Sequence, residues 1–193
     1  VGKAQAADIV ATGHNSSDGV VINGNYGVAM QFSLGQAYTI TSMESMIYNW
    51  NDGTLSLAVF SDDTNFPNYA DELFRQDIFI PASNPPANVW HGAFGMNLDL
   101  EAGPYWATWD SFSNAFQGVI VGGAINPLDR YMYLFLDPQV NPGAYAEIGG
   151  EHSTNLTLRI GADEQDPIVP EPATMVLLGS GLIGGVLIRR KRS

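Results

Sequence analysis

The sequence predicts an all-β domain, a jelly-roll-like β-sandwich, followed by a linker and a single C-terminal hydrophobic helix. The composition favours strands and tight turns, with 21 Gly, 11 Pro, 9 Phe, 8 Tyr and 4 Trp among 193 residues. Between residues 8 and 162 the apolar runs are short and separated by turn residues, and none has a clear helical period. Residues 173–188, in contrast, carry no charge at all.

Nine segments of the predicted domain have the length and composition of strands. They are residues 28–34, 38–48, 54–61, 72–80, 92–100, 105–110, 117–122, 131–136 and 155–160. Apolar residues alternate in two of them, which predicts one buried face each: Leu55, Leu57 and Val59 in the first, Leu156, Leu158 and Ile160 in the second. The turn residues Asn51-Asp52-Gly53 predict a hairpin between the strands on either side.

Four segments divide the chain. Residues 1–7 are either the remnant of a signal peptide, since Ala4-Gln5-Ala6 has the small-x-small form of a cleavage site, or a flexible N-terminus. Residues 8–162 form the predicted sandwich, and residues 163–169 have no period and form a linker. Residues 170–193 contain a predicted transmembrane helix, 173–188, and a basic tail.

The net charge of −12 is unevenly distributed along the chain. Residues 7–166 hold 19 acidic side chains against three basic ones, a net charge of −16. Such a domain is not expected to bind nucleic acid, because it would repel the phosphate backbone. The chain has no Cys, which excludes disulfides, thiolate metal sites and cysteine nucleophiles.

The C-terminal segment has the chemistry of a membrane anchor. As a helix, residues 173–188 would be about 24 Å long, marginal for a hydrocarbon core of about 30 Å. A buried helix of a soluble domain is the alternative, but it should be amphipathic, and this segment is apolar all round. The basic cluster that follows would stay in the cytoplasm by the positive-inside rule: Arg189, Arg190, Lys191 and Arg192.

The motif Pro170-Glu171-Pro172, followed by this Leu/Gly-rich span and the basic cluster, resembles the PEP-CTERM sorting signal. The resemblance covers about residues 169–193. It implies recognition of Pro-Glu-Pro by exosortase, a temporary membrane anchor, and a Gram-negative host that makes exopolysaccharide. The implied localisation is an exported protein, anchored in the inner membrane as an intermediate and then found at the cell surface or outside the cell. The domain before the signal is weakly similar to secreted sandwiches that precede surface-sorting tails.

Few residues of the predicted domain suggest catalysis or metal binding. His14, His91 and His152 have no zinc-type spacing, and the Ser-rich stretch around His14 is interpreted as a polar surface loop rather than a nucleophile loop. Asp99, Glu101 and Asp110 offer a glycosidase-type carboxylate pair only if the fold brings two of them together. One cluster of oxygen ligands suits Ca²⁺, although a solvated loop is the preferred reading: Asp62, Asp63, Asn65, Asn68 and Asp71.

The leading hypothesis is therefore a structural protein of the cell surface or of the extracellular, biofilm-type matrix, without enzymatic activity and without a cofactor. The alternative is a carbohydrate-binding module with the same sorting tail, using tryptophans as a stacking platform for exopolysaccharide. The candidates are Trp50, Trp90, Trp106 and Trp109. A secreted hydrolase and self-assembly through strand edges remain open as further classes.

Overall fold

The chain is described from a computed structural model, over residues 7–12, 14–24, 26–82, 87–111, 116–123, 130–136, 145–147 and 155–164. Within these ranges it forms thirteen strands and no helix. They are β1 (Ala7–Ala11), β2 (His14–Asn23), β3 (Tyr26–Leu34), β4 (Tyr38–Asn49), β5 (Gly53–Asp62), β6 (Pro67–Ile80), β7 (Val89–Leu100), β8 (Gly103–Asp110), β9 (Gln117–Gly123), β10 (Arg130–Leu136), β11 (Tyr145–Glu147), β12 (Asn155–Leu156) and β13 (Arg159–Glu164).

The strands pair antiparallel in one continuous, strongly curled sheet. We call the neighbours β2, β9, β4 and β7 the first ladder, and the neighbours β6, β5, β8 and β3 the second ladder. The ladders are joined where β2 meets β3 at the pair Asn23–Tyr26. Beside the first ladder, β13 pairs with β4 and also with β1, and β12 pairs with β9. Beside the second ladder, β10 pairs with β3. This arrangement places the two ladders around a common interior.

Both ladders contribute to one hydrophobic core. Its fully buried side chains include Met43 and Ile47 of the first ladder and Phe32, Leu57 and Trp109 of the second. Leu55, Leu57 and Val59 of β5 share this core and are all 0% exposed, as the alternation predicts, but Ala58 and Phe60 on the other side are also buried, so β5 has two buried sides rather than one. Leu156, Leu158 and Ile160 are buried there too. The all-β prediction is therefore confirmed for the described residues, and burial of these apolar faces holds the curled sheet together.

The predicted hairpin at Asn51-Asp52-Gly53 is wrong. Strand β4 ends at Asn49 in the first ladder, while β5 begins at Gly53 in the second and pairs with β6 and β8. Gly53 is needed for a close approach and not for turn geometry, since a Cβ there would lie 2.8 Å from the Cβ of Phe116. The segment therefore carries the chain from one ladder to the other.

A true two-residue hairpin joins β5 to β6 instead. The backbones of Asp63 and Phe66 exchange hydrogen bonds of 2.7 and 3.1 Å. Between them Thr64 and Asn65 have φ of 54° and 70°, the left-handed backbone of a type I′ turn. The sequence does not predict this hairpin, because Thr is not a typical residue for left-handed backbone.

The structure also corrects several boundaries. The sequence predicts a polar surface loop around His14, but residues 14–23 form β2, which pairs with β9. The predicted strand 155–160 is divided, because β12 pairs with β9 and β13 with β4. Strand β13 continues to Glu164, so Asp163 and Glu164 belong to the sheet rather than to the linker.

The predicted transmembrane helix, 173–188, and the sorting motif lie outside the described residues. Within the described ranges, no helix has the length and hydrophobicity needed to cross a membrane.

Candidate functional site

The four tryptophans proposed as a stacking platform fall into two groups. Trp106 and Trp109 are 0% exposed, so neither can contact a ligand from solvent. Trp50 is 47% exposed and Trp90 is partly exposed. The structure therefore removes two of the four candidates and leaves Trp50 and Trp90.

Trp50 and Trp90 lie on the same side of the first ladder. Met43 and Ile47 of β4 point into the core, so Glu44, Met46 and Tyr48 point outwards, and Trp50 continues this alternation one residue beyond the strand. Trp50 stays aligned with the sheet because its backbone N–H donates to the backbone carbonyl of Gln117 at 3.0 Å. Its ring meets that of Tyr48 edge-on, with 5.6 Å between the ring centroids.

Neighbouring strands extend this outward surface. On β7, Trp90 pairs with Met46 and Phe94 pairs with Ser42, which places both rings on the same side as Tyr48. Phe94 is 64% exposed. On the other side of β4, Val119 of β9 pairs with Tyr48, and Val21 of β2 pairs with Val119. We call the surface formed by Tyr48, Trp50, Trp90 and Phe94 the aromatic face.

An ion pair lies at the centre of this surface. Arg159 of β13 pairs with Glu44 of β4, and its Nε and Nη2 donate to Oε2 of Glu44 at 2.9 and 2.6 Å. The guanidinium carbon also lies 4.5 Å from the centroid of the Trp90 ring, a cation–π contact. Glu44 is only 5% exposed, so its carboxylate is committed to Arg159. This arrangement neutralises both charges and holds the Trp90 ring against the sheet.

His91 follows Trp90 and therefore lies on the opposite, core-facing side of β7, where it pairs with the buried Ser45. Partial burial lowers the pKa of His91 below its usual value. The structure thus separates His91 from the aromatic face. The side chain of His14 and the whole of His152 lie outside the described residues.

The lowered pKa of His91 predicts a pH dependence of stability. In the unfolded chain the imidazole titrates near pH 6.5, whereas in the folded chain it takes up its proton only at lower pH. The unfolded state then binds more protons, so stability is lost as the pH falls below about 6.5 towards the folded-state pKa. We expect acidification from about pH 7.5 to about pH 5.5 to lower the urea midpoint more in the wild type than in His91→Gln. Equal shifts in the two proteins would contradict this assignment.

The proposed Ca²⁺ cluster has a structural explanation. Both oxygens of Asp62 accept hydrogen bonds, Oδ1 from the side chains of Gln31 and Trp106 at 2.7 and 2.6 Å and Oδ2 from the N–H of Asn65 at 3.1 Å. Asn68 Oδ1 accepts from the N–H of Ala70 at 3.2 Å. Across the described residues, no group of three or more His, Asp and Glu side chains is placed to hold a metal ion. These oxygens stabilise the hairpin between β5 and β6.

The fold does not bring Asp110 near the other two carboxylates posed as a glycosidase pair. Asp110 ends β8, about 23 Å along the strand from Gly103, whereas Glu101 precedes that strand. Asp110 is also 0% exposed, with its Oδ2 3.7 Å from Nη1 of Arg75. Asp99 lies in the first ladder and accepts a 2.6 Å hydrogen bond from Thr39.

A second buried cluster, which the sequence alone does not predict, covers the outward side of the second ladder. Trp106 packs there with Ala29, Ala58 and Phe60, and Phe66 and Tyr69 pack against them. Burial and the carboxylate of Asp110 raise the pKa of Tyr69, so its hydroxyl stays neutral. The alternation of residues 105–110 places Trp106, Thr108 and Asp110 on one side of the strand. This is the one feature of the sequence that points to the cluster.

Comparison with known proteins identifies the C-terminal end. Residues 169–192 match the PEP-CTERM protein-sorting motif. No curated protein matches the sequence significantly. The motif begins five residues after Glu164, the last residue of β13. It contains Pro170, Glu171 and Pro172 and the basic cluster 189–192, and it implies export and membrane-associated sorting towards the cell surface. The chain therefore carries a PEP-CTERM sorting signal, which supports its identification as an exosortase-substrate protein.

Proposed function

We propose that this protein is a non-enzymatic structural component of the cell surface or extracellular matrix, delivered by its PEP-CTERM signal. The match of residues 169–192 to the sorting motif carries this proposal. In it, residues 173–188 hold the chain in the inner membrane, the basic cluster stays in the cytoplasm, and exosortase cleaves at or near Pro170-Glu171-Pro172. The β domain is then released to a biofilm or exopolysaccharide matrix of a Gram-negative host.

The position of the last strand limits how far the folded domain can lie from the motif. Glu164 is paired with Tyr38 in the sheet, and Pro170 lies only six positions further along the chain. Six residues span at most about 22 Å even when fully extended. The folded domain therefore stays close to the motif, and exosortase acts in the space between the domain and the membrane.

The strand order supports a jelly-roll-like sandwich as the delivered unit. From β2 to β9 the chain alternates between the ladders, with the β5–β6 hairpin as the one step that stays within a ladder. Two ladders of four strands connected in this way are typical of jelly rolls. Such a unit buries its core without disulfides, which suits an exported chain that has no Cys.

Mass spectrometry of the surface-exposed protein tests the delivery route. We expect the mature chain to lack Arg189, Arg190, Lys191 and Arg192, since cleavage near Pro170-Glu171-Pro172 removes everything that follows the cut. The full-length chain should be found only in the inner-membrane fraction. A surface form that retains the basic cluster would contradict the proposal.

A carbohydrate-binding module with the same sorting tail is the second candidate. One observation favours it: Trp50 and Trp90 both lie on the outward side of the first ladder, where solvent reaches them. Aromatic rings exposed on a sheet are suited to stacking against the apolar faces of sugar rings. In this candidate, exopolysaccharide is the partner of the domain after its release.

A further inference from the structure

We propose that the aromatic face, formed by Tyr48, Trp50, Trp90 and Phe94, is a binding site for a neutral polysaccharide chain. The proposal rests on the carbohydrate-binding candidate above and adds the position of the site, the rings that form it and the charge class of its ligand.

The rings lie at regular intervals along the strands, as a binding site for a linear ligand requires. Phe94 pairs with Ser42 and Trp90 with Met46, so four residues of β4, about 13 Å, separate their rows. Trp50 lies a further four residues along, another 13 Å or so, with Tyr48 between. The face thus runs for about 26 Å along the sheet, which suits an extended chain of several sugars better than a single compact ligand.

The exposure of this surface needs an explanation. Trp50 is 47% exposed, Phe94 64% and Val21 44%, although large apolar side chains ordinarily bury most of their area. These residues are joined by Tyr48, Trp90 and Val119, so they form one surface rather than scattered positions. Contiguous apolar surface of this kind typically marks a binding site.

The ion pair beneath Trp90 prepares that ring for stacking. Arg159 contacts the ring and is itself held by two hydrogen bonds to Glu44. The indole is therefore already restricted in the free protein, which reduces the entropy lost when a ligand binds. Gly92 of β7 pairs with Glu44 of β4, and a Cβ at Gly92 would clash with the backbone oxygen of Met43 and lie 2.7 Å from the Cγ of Glu44, so glycine is required for this close approach of the two strands.

Charge selects a neutral ligand. The one cation at the centre of the face, Arg159, is neutralised by Glu44. The surrounding segment, residues 7–166, has a net charge of −16 and repels polyanions. Uronic-acid or sulfated polysaccharides are therefore disfavoured, and ring stacking without charge pairing is left as the main source of affinity.

The test compares full-length proteins in detergent by affinity electrophoresis through gels that contain one polysaccharide each. The neutral probes are dextran, laminarin and hydroxyethyl cellulose, and alginate is the anionic probe. The variants are Trp90→Ala, Trp50→Ala and the double variant. The matched control is Phe79→Ala, because Phe79 is 63% exposed but lies on β6, at the far edge of the second ladder.

We expect retardation of the wild type by at least one neutral probe and none by alginate. Each tryptophan variant should lose about tenfold in affinity and the double variant more, while Phe79→Ala binds like the wild type. Binding that survives in the double variant overturns this site but leaves the carbohydrate-binding candidate standing. Failure of all neutral probes, or binding to alginate alone, overturns the proposal. A dimer of the wild type in sedimentation velocity that is absent in the double variant also overturns it, because the aromatic face would then be an interface between two copies. Export is measured separately by cell fractionation, so none of these outcomes bears on the delivery route.

Discussion

Replacement of Pro170, Glu171 and Pro172 by alanine is expected to leave nearly all of the protein uncleaved in the inner-membrane fraction. The three residues lie inside the matched motif, immediately before the apolar segment 173–188. The two prolines disfavour helix immediately before the apolar segment, and Glu171 supplies the charge between them. The alanine substitutions remove both features, and they also favour helix through the motif because alanine is a strong helix former.

Fractionation followed by immunoblotting measures this effect as the ratio of the mature to the full-length chain. Pro167→Ala is the matched control, since it removes a proline from the same connection but outside the matched residues. It should be processed like the wild type. Release of the triple variant at the wild-type level would show that the motif does not direct processing of this chain.

Trp109→Ala is expected to lower the free energy of unfolding by about 3–5 kcal/mol, a large share of the 5–15 kcal/mol typical of a domain. Trp109 is 0% exposed in the shared core, on the strand β8 that pairs with β3 on one side and β5 on the other. Truncation of its ring leaves a cavity that the two flanking strands cannot close, because both are fixed by their own pairing.

Urea denaturation of the full-length chain in detergent measures the change through the midpoint. Trp109→Phe should cost far less, because it keeps most of the ring volume and removes an indole N–H that has no hydrogen-bond partner within the described residues. Trp50→Ala, at a site 47% exposed, should change the midpoint little. A loss below about 1 kcal/mol for Trp109→Ala would contradict its placement in the core.

The alternation of the sequence predicted which residues of a strand share a side, but not how many sides are covered. In residues 105–110 the alternation separates Trp106 from Trp109 and requires only that one side be buried. Both tryptophans are 0% exposed, because Phe60, Phe66 and Tyr69 cover the side that carries Trp106. This second side is buried by the hairpin at 63–66 and the first residues of β6. The sequence of residues 105–110 gives no indication of that contact.

Strand pairing was the least predictable part of the fold. Asn51-Asp52-Gly53 has the composition of a tight hairpin, yet it connects strands of different ladders: β5 pairs with β6 and β8, whereas β4 pairs with β7, β9 and β13. The sequence does not predict β2, because the first half of this strand is polar and has low strand propensity. The strand forms through its pairing with β9.

The sequence by itself determined the delivery signal, the all-β class and the acidic charge of the domain. Each depends on composition or on contiguous residues: the motif at 169–192 is read directly along the chain, and period-2 alternation is a local property of a strand. Only the tertiary structure decided which tryptophans reach solvent and that Trp90, Arg159 and Glu44 meet. These three residues come from β7, β13 and β4, and their contact follows from a pairing register across more than a hundred residues, which burial of the whole core selects and no local segment specifies.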